Sequence, residues 1–182
     1  MITLSQDQML AQWKARHFLE PIRTDCSEVR TSGIDIDYVL KLEIRDWYLN
    51  LLDTGDAKML PITDLALETA AMNRPDSGAV VVKLPERCRR VLAVRIKGCE
   101  QDIIPYTDVN CYEVSLQRSE YSRGGAYEPV AVLGMGNNLT VYAHDAAGNP
   151  PEIEHIYAVV LPEDGTYTFD ESALSTIPTV KI

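Results

Sequence analysis

Histidine and cysteine are the side chains best suited to proton transfer, nucleophilic attack and metal binding, and this chain has three of the first and four of the second. His144 precedes Asp145, a pairing that could orient an imidazole as a general base, with Cys88, Cys99 or Cys111 as the thiol it activates. Nothing in the spacing brings such a thiol to that imidazole. His17, His144 and His155 lie far apart in sequence and form no H-x-x-x-H pair, so each is expected singly at the surface or as a cap. Cys26, Cys88, Cys99 and Cys111 show no C-x-x-C spacing; no metal site is expected, and the thiols read as small core residues in a reducing compartment. No G-x-S-x-G elbow, Walker loop or dinucleotide fingerprint occurs, and Gly134-x-Gly136 lacks a third glycine and lies between strands. Asp35/Asp37 and Asp53/Asp56 fall at helix ends, where such charge is ordinary. The chain is therefore expected to be no enzyme, with no catalytic, cofactor-binding or metal-binding residues and no cofactor.

Composition narrows the partners. Of 182 residues, 46% are hydrophobic and 24% charged, which suits a globular chain rather than a disordered one. The net charge of -10 speaks against broad affinity for nucleic acid or an anionic membrane, since phosphates must be met by Lys and Arg. One dense basic cluster stands out: Arg87, Arg89, Arg90, Arg95 and Lys97. On strands these divide between two faces and are expected to be a solvated guard against edge pairing. Residues 1–20 carry polar and charged groups throughout, so a cytoplasmic chain without leader or membrane span is expected.

The elements around these residues predict an α+β fold, an N-terminal helical pair packed on an antiparallel sheet or small β-sandwich. One domain is expected, mainly helical over 1–72, β over 79–161, with a tail over 162–182 that has little core of its own. Ser5 and Gln8 form a capping box ahead of a helix from Gln6 to Phe18, with Met9, Trp13 and Ala15 to His17 on its buried side. A second helix spans Asp35 to Leu52, with Ile36, Val39 or Leu40, Ile44, Trp47, Tyr48 and Leu51 as its apolar stripe and Gly55 as a left-handed cap. Residues 22–33 read as a loop, and over 62–72 either Asp64 caps a short helix through Ala71 or a strand is followed by a loop. Strands are expected at Val80–Val82, at Val91–Ile96 up to Gly98, at Tyr112–Gln117 with the cleanest alternation in the chain, and at Pro129–Leu133. Gly134 to Asn138 then turns the chain into Leu139–Tyr142, and a last strand runs from Glu152 to Leu161.

The ordered series LPITD at 60–64, VKLPERCRRVLAVRIKGCEQDI at 82–103, LQRSEYSRGGAYEPVAVL at 116–133 and LTVYA at 139–143 resembles head–tail connector, or adaptor, proteins of tailed bacteriophages and prophages. The likeness spans about two thirds of the chain, including the helical pair, and departs at 171–182, where C-terminal helices would be expected. It implies a structural subunit of a ring beside a portal, first in the host cytoplasm and then in the virion. Its partners would be other copies of itself and portal and tail proteins, with DNA passing through the ring but not specifically bound. Residues 22–33 and 119–127 are the expected contact loops. Two other classes compete. A small enzyme would need a pocket joining a cysteine to His144 or His155. A carbohydrate- or protein-binding β-sandwich module would expose a patch built from Tyr106, Tyr112, Tyr121 and Tyr127.

Overall fold

In the computed structural model, residues 1–17, 35–74, 79–119, 121–122, 128–143, 149, 151–163 and 165–178 are described, with backbone alone for 70–74. The elements run β1 (Ile2–Ser5), α1 (Gln6–Arg16), α2 (Ile36–Thr54), β2 (Ile62–Asp64), β3 (Ala70–Arg74), β4 (Ala79–Lys83) and β5 (Cys88–Ile96). They continue with α3 (Tyr112–Arg118), β6 (Val130–Gly134), β7 (Asn138–Tyr142), β8 (Ile153–Val160) and β9 (Thr166–Phe169). The fold is α+β with antiparallel sheets. The chain divides into two compact units, Met1–Pro61 with Pro162–Ile182, and Ile62–Leu161.

The first unit carries the helical pair. Ser5 starts α1 through the expected box: its hydroxyl accepts from the Gln8 amide at 3.3 Å, and the Gln8 side-chain oxygen accepts from the Ser5 amide at 2.9 Å. The helix buries Met9, Leu10 and Trp13, whereas Ala15 and Arg16 are exposed. Ala15 lies about 200° around the helix from Trp13, so the buried arc turns through Leu10 instead. Asp35 caps α2 by accepting from the amides of Asp37 and Tyr38, and Leu40, Ile44, Tyr48, Leu51 and Leu52 form its buried face. Ile36, expected on that face, is 41% exposed, and of the alternatives Val39 and Leu40 it is Leu40 that is buried. Gly55 ends α2 in an extended conformation (φ -64°, ψ 161°), not the left-handed one. Glycine is needed there for another reason: a Cβ would lie 2.4 Å from the Leu51 carbonyl oxygen.

The residues after 161 complete this unit. β9 pairs antiparallel with β1, Ile2 opposite Phe169 and Ser5 opposite Thr166. Phe169 is fully buried and meets the Trp47 ring edge-on at 5.6 Å, while Tyr48 meets Tyr167 at 5.1 Å. A 3₁₀ turn over Glu171–Thr176 buries Ala173 and Leu174, with Ile177 buried beside them. The expected coreless tail is thus part of a core, because its few apolar residues sit where a long-range strand pairing delivers them.

The second unit is β-rich. One sheet has the order β2-β8-β5 and the other β3-β4-β7-β6, every named pairing antiparallel. Val80, Val82, Leu139, Val141 and Ala131 from one sheet share a single core with Val94, Ile96, Ile156 and Ala158 from the other. The segment after β5 ties two strand edges: Ile103 exchanges backbone hydrogen bonds with Val94 at 2.8 Å each way, and Tyr106 bridges to Ala131 and Leu133. The 134–138 connection is the expected hairpin turn, with Gly136 and Asn137 at φ 68° and 57°. After Asp64 the chain makes a 3₁₀ turn over Ala66–Glu68 and then β3, not a helix through Ala71.

The strand expected at Tyr112–Gln117 is instead α3. It buries Val114 and Gln117, three residues apart, while Tyr112 is 71% exposed. Over six residues an alternating pattern also fits two helical turns, and Glu, Leu, Gln and Arg favour the helix. Val114 packs on Val130 and Val132, covering the outer side of β6.

Candidate functional site

The imidazole and carboxylate that the fold brings together are His155 and Asp64. β2 pairs with β8 so that Asp64 stands opposite Tyr157, and His155 is two residues further along β8. His155 Nδ1 donates to Asp64 Oδ2 at 2.7 Å, and the His155 ring stacks on Tyr157 at 5.4 Å. The other carboxylate oxygen, Oδ1, accepts from the amides of Ile156 at 2.9 Å and Ala66 at 3.0 Å. Partial burial would raise the Asp64 carboxyl, but the Ile156 amide, the His155 ring and the Ala66 amide together hold it below its ordinary value. The second ring nitrogen of His155 faces the Glu154 carboxylate at 4.0 Å. An orienting carboxylate is present, while both sides of the ring meet acids rather than a nucleophile. The pair clasps the three-residue β2 to β8.

The thiols occupy other places. Cys88 begins β5 opposite Val160 inside the shared core, where burial raises its pKa despite a backbone bond from Arg90. A buried, protonated thiol is a poor nucleophile. Cys111 is half-buried at the start of α3, and Cys99 is half-buried after the Gly98 turn. Cys26, His144 and Asp145 lie outside the described residues, as do Tyr127 and 22–33. His17 ends α1, its Nδ1 donating to the Trp13 carbonyl at 2.9 Å and its ring stacked on Trp13 at 5.2 Å.

The basic cluster is paired. Arg87 meets Glu68 at 2.5 Å, Arg95 meets Asp102 at 2.7 Å and Lys97 meets Glu152 at 2.8 Å. Donating hydrogen bonds to Asp102 and Glu152 raises the Arg95 and Lys97 pKa values, and Arg89 and Arg90 have partners as well. Arg87, Arg95 and Lys97 are committed to neighbours on the same unit, which weakens their pull on an outside phosphate.

Cys99, Asp102, Ile104, Tyr106, Pro129 and Val130 are among the residues lining a groove of about 480 Å³ beside β6. Ile104 is 75% exposed at its rim and Tyr106 39%. Among the described residues no group of three or more His, Cys, Asp or Glu side chains is placed to hold a metal ion, and no helix is long and apolar enough to cross a membrane. Sequence reasoning named His155 and Asp64 separately but could not pair them. Their contact spans 91 positions and depends on the β2–β8 register, for which a three-residue strand gives no periodic signal. No protein-family model matches the chain, and no curated protein matches it.

Proposed function

We propose that this chain is a non-enzymatic assembly subunit of the head–tail connector type, working by contact with copies of itself and with portal and tail proteins rather than by chemistry. One observation carries the reading. Large apolar side chains stand almost bare on the turns and short helices of the β-rich unit: Leu67 at 100% exposure, Tyr121 at 98%, Met135 at 94%, Ile104 at 75% and Tyr112 at 71%. Scattered apolar exposure is common, but side chains this bare gain most from being covered by a partner. The order of motifs from residue 60 to 143 supports the same reading, since all of them but Leu60 and Pro61 fall on this unit. A net charge of -10 suits the lining of a channel that lets DNA pass without gripping it.

Electron microscopy of the concentrated protein, alone and with a phage portal protein, tests this. Closed rings are expected, with crosslinks between copies involving the segments around Leu67, Tyr121 and Met135. Single subunits under both conditions would remove the reading. The exposed Tyr106, Tyr112 and Tyr121 favour a ligand-binding module as second reading. It predicts that a glycan or peptide shifts the amide resonances of residues 99–106 in the groove.

A further inference from the structure

β6 has a bare apolar tip just past one end and an open groove beside the other. Residues 134–138 carry the chain from β6 into β7, and Met135 on that turn is 94% exposed with a glycine on either side. Neighbours without side chains keep the tip narrow, and methionine is well suited to filling an irregular gap. β4 ends beside the same turn. Lys83 stands opposite Asn138, and its ammonium donates to the Gly136 carbonyl. Lys83 is exposed and forms no ion pair among the described residues. The tip therefore presents an apolar side chain with an uncommitted cation next to it. The groove is of the opposite kind. Ile104, Tyr106, Pro129 and Val130 give it an apolar side, and Glu100 gives it an acid that is exposed and likewise forms no ion pair among the described residues, while Asp102 is taken up by Arg95.

Tip and groove cannot meet within one copy. Four steps of extended chain separate Val130 from Gly134, about 13 Å, and the strand between them is held by β7 along one edge and by Tyr106 on the other. Between two copies nothing forbids the contact. We propose that the Met135 tip of one copy seats in the groove of the next, against Ile104 and Tyr106, with Lys83 of the first beside Glu100 of the second. Charge complementarity and the pairing of a protruding tip with a recess both select a second copy as the occupant. An unrelated basic partner would answer Glu100 and leave Met135 bare. Because the two patches differ, the contact is heterologous and runs head to tail, so it repeats into a closed ring or an open filament. The inference rests on the reading of the chain as a self-assembling subunit and names the surface that such assembly uses.

Sedimentation velocity over a concentration series at low salt tests it. The unaltered chain is expected to move from monomer to larger species as concentration rises. Lys83→Glu and Glu100→Lys each set like charges against one another at every contact and should weaken association by at least about tenfold. The double variant Lys83→Glu/Glu100→Lys restores an opposite pair in reversed order and should associate as the unaltered chain does. Met135→Ser should weaken association without any change of charge. All three positions are exposed, so far-UV circular dichroism should be unchanged in every variant. Assembly indifferent to the single reversals or to Met135→Ser, or a double variant that stays monomeric, would overturn the inference and leave the connector reading standing. A monomer throughout the unaltered series would overturn it too, and rings formed by that same protein on a phage portal protein would show that the connector reading had not failed with it.

Discussion

The two units reach a buried core by different chemistry. Among the described residues the β-rich unit's main core is aliphatic: valines, leucines, isoleucines and alanines with Cys88, mostly on strands within residues 62–161. The first unit adds to its aliphatic residues a set of rings, Trp13, Trp47, Tyr48, Tyr167 and Phe169, linked by ring contacts, and it is closed by chain segments more than a hundred residues apart. Alternating aliphatic layers tolerate sharing between two sheets, since each residue fills a modest volume. Large rings concentrate burial in few residues, so the first unit depends on each of them more heavily.

The largest expected effect sharpens that contrast. Phe169→Ala removes a fully buried ring and should cost about 3–5 kcal/mol in denaturant unfolding. Hydrogen exchange should show protection lost at α2 and β1, while Val80–Val82 and Val141 keep theirs. Equal loss in both units would break the comparison and make the chain one cooperative body.

What could be read from the sequence follows the same division. Ser5 with Gln8, the Val80–Val82 run and the Gly134–Asn138 turn are local signals, and each produced the expected element. The α2 stripe was legible as a helix, with Leu40 rather than its alternative Val39 in the core, yet Ile36 did not join it, because periodicity gives a face without saying how wide its partner is. Tyr112–Gln117 failed since six residues cannot separate a period of two from a period of 3.6. β1 and β9 were invisible for another reason: four-residue strands of a two-stranded ribbon exist only through their pairing. The His155–Asp64 clasp shares that origin, and so sequence could name both residues without joining them.

A smaller effect probes how the first unit protects its ribbon. The Tyr48 hydroxyl donates to the Thr168 carbonyl at 3.0 Å and accepts from the Thr168 amide at 3.1 Å, standing in for a neighbouring strand. Tyr48→Phe keeps the ring and leaves both backbone groups without that partner. A loss of about 1–2 kcal/mol is expected, read as faster amide exchange at Thr168. A protected Thr168 in this variant would mean that the hydroxyl does not hold the edge.

The smallest effect belongs to the clasp of the β-rich unit, where an ion rather than a ring holds a short strand. Asp64 keeps its charge more readily in the folded chain than in the unfolded one, so its folded pKa is the lower of the two. The stability it adds is complete above the unfolded value, near pH 4, and drains away as pH falls through the folded value. Asp64→Asn retains an oxygen for the Ile156 and Ala66 amides but surrenders the charge offered to His155. With the Asp64 side chain 38% exposed, solvent screens the interaction, and less than about 1 kcal/mol should separate the two proteins at neutral pH. Their unfolding curves should converge below pH 4, because protonation removes from the natural chain what the substitution has already removed. A difference that persists unchanged into acid would show that the charge is not its source, and the charge of the clasp would then be incidental to β2.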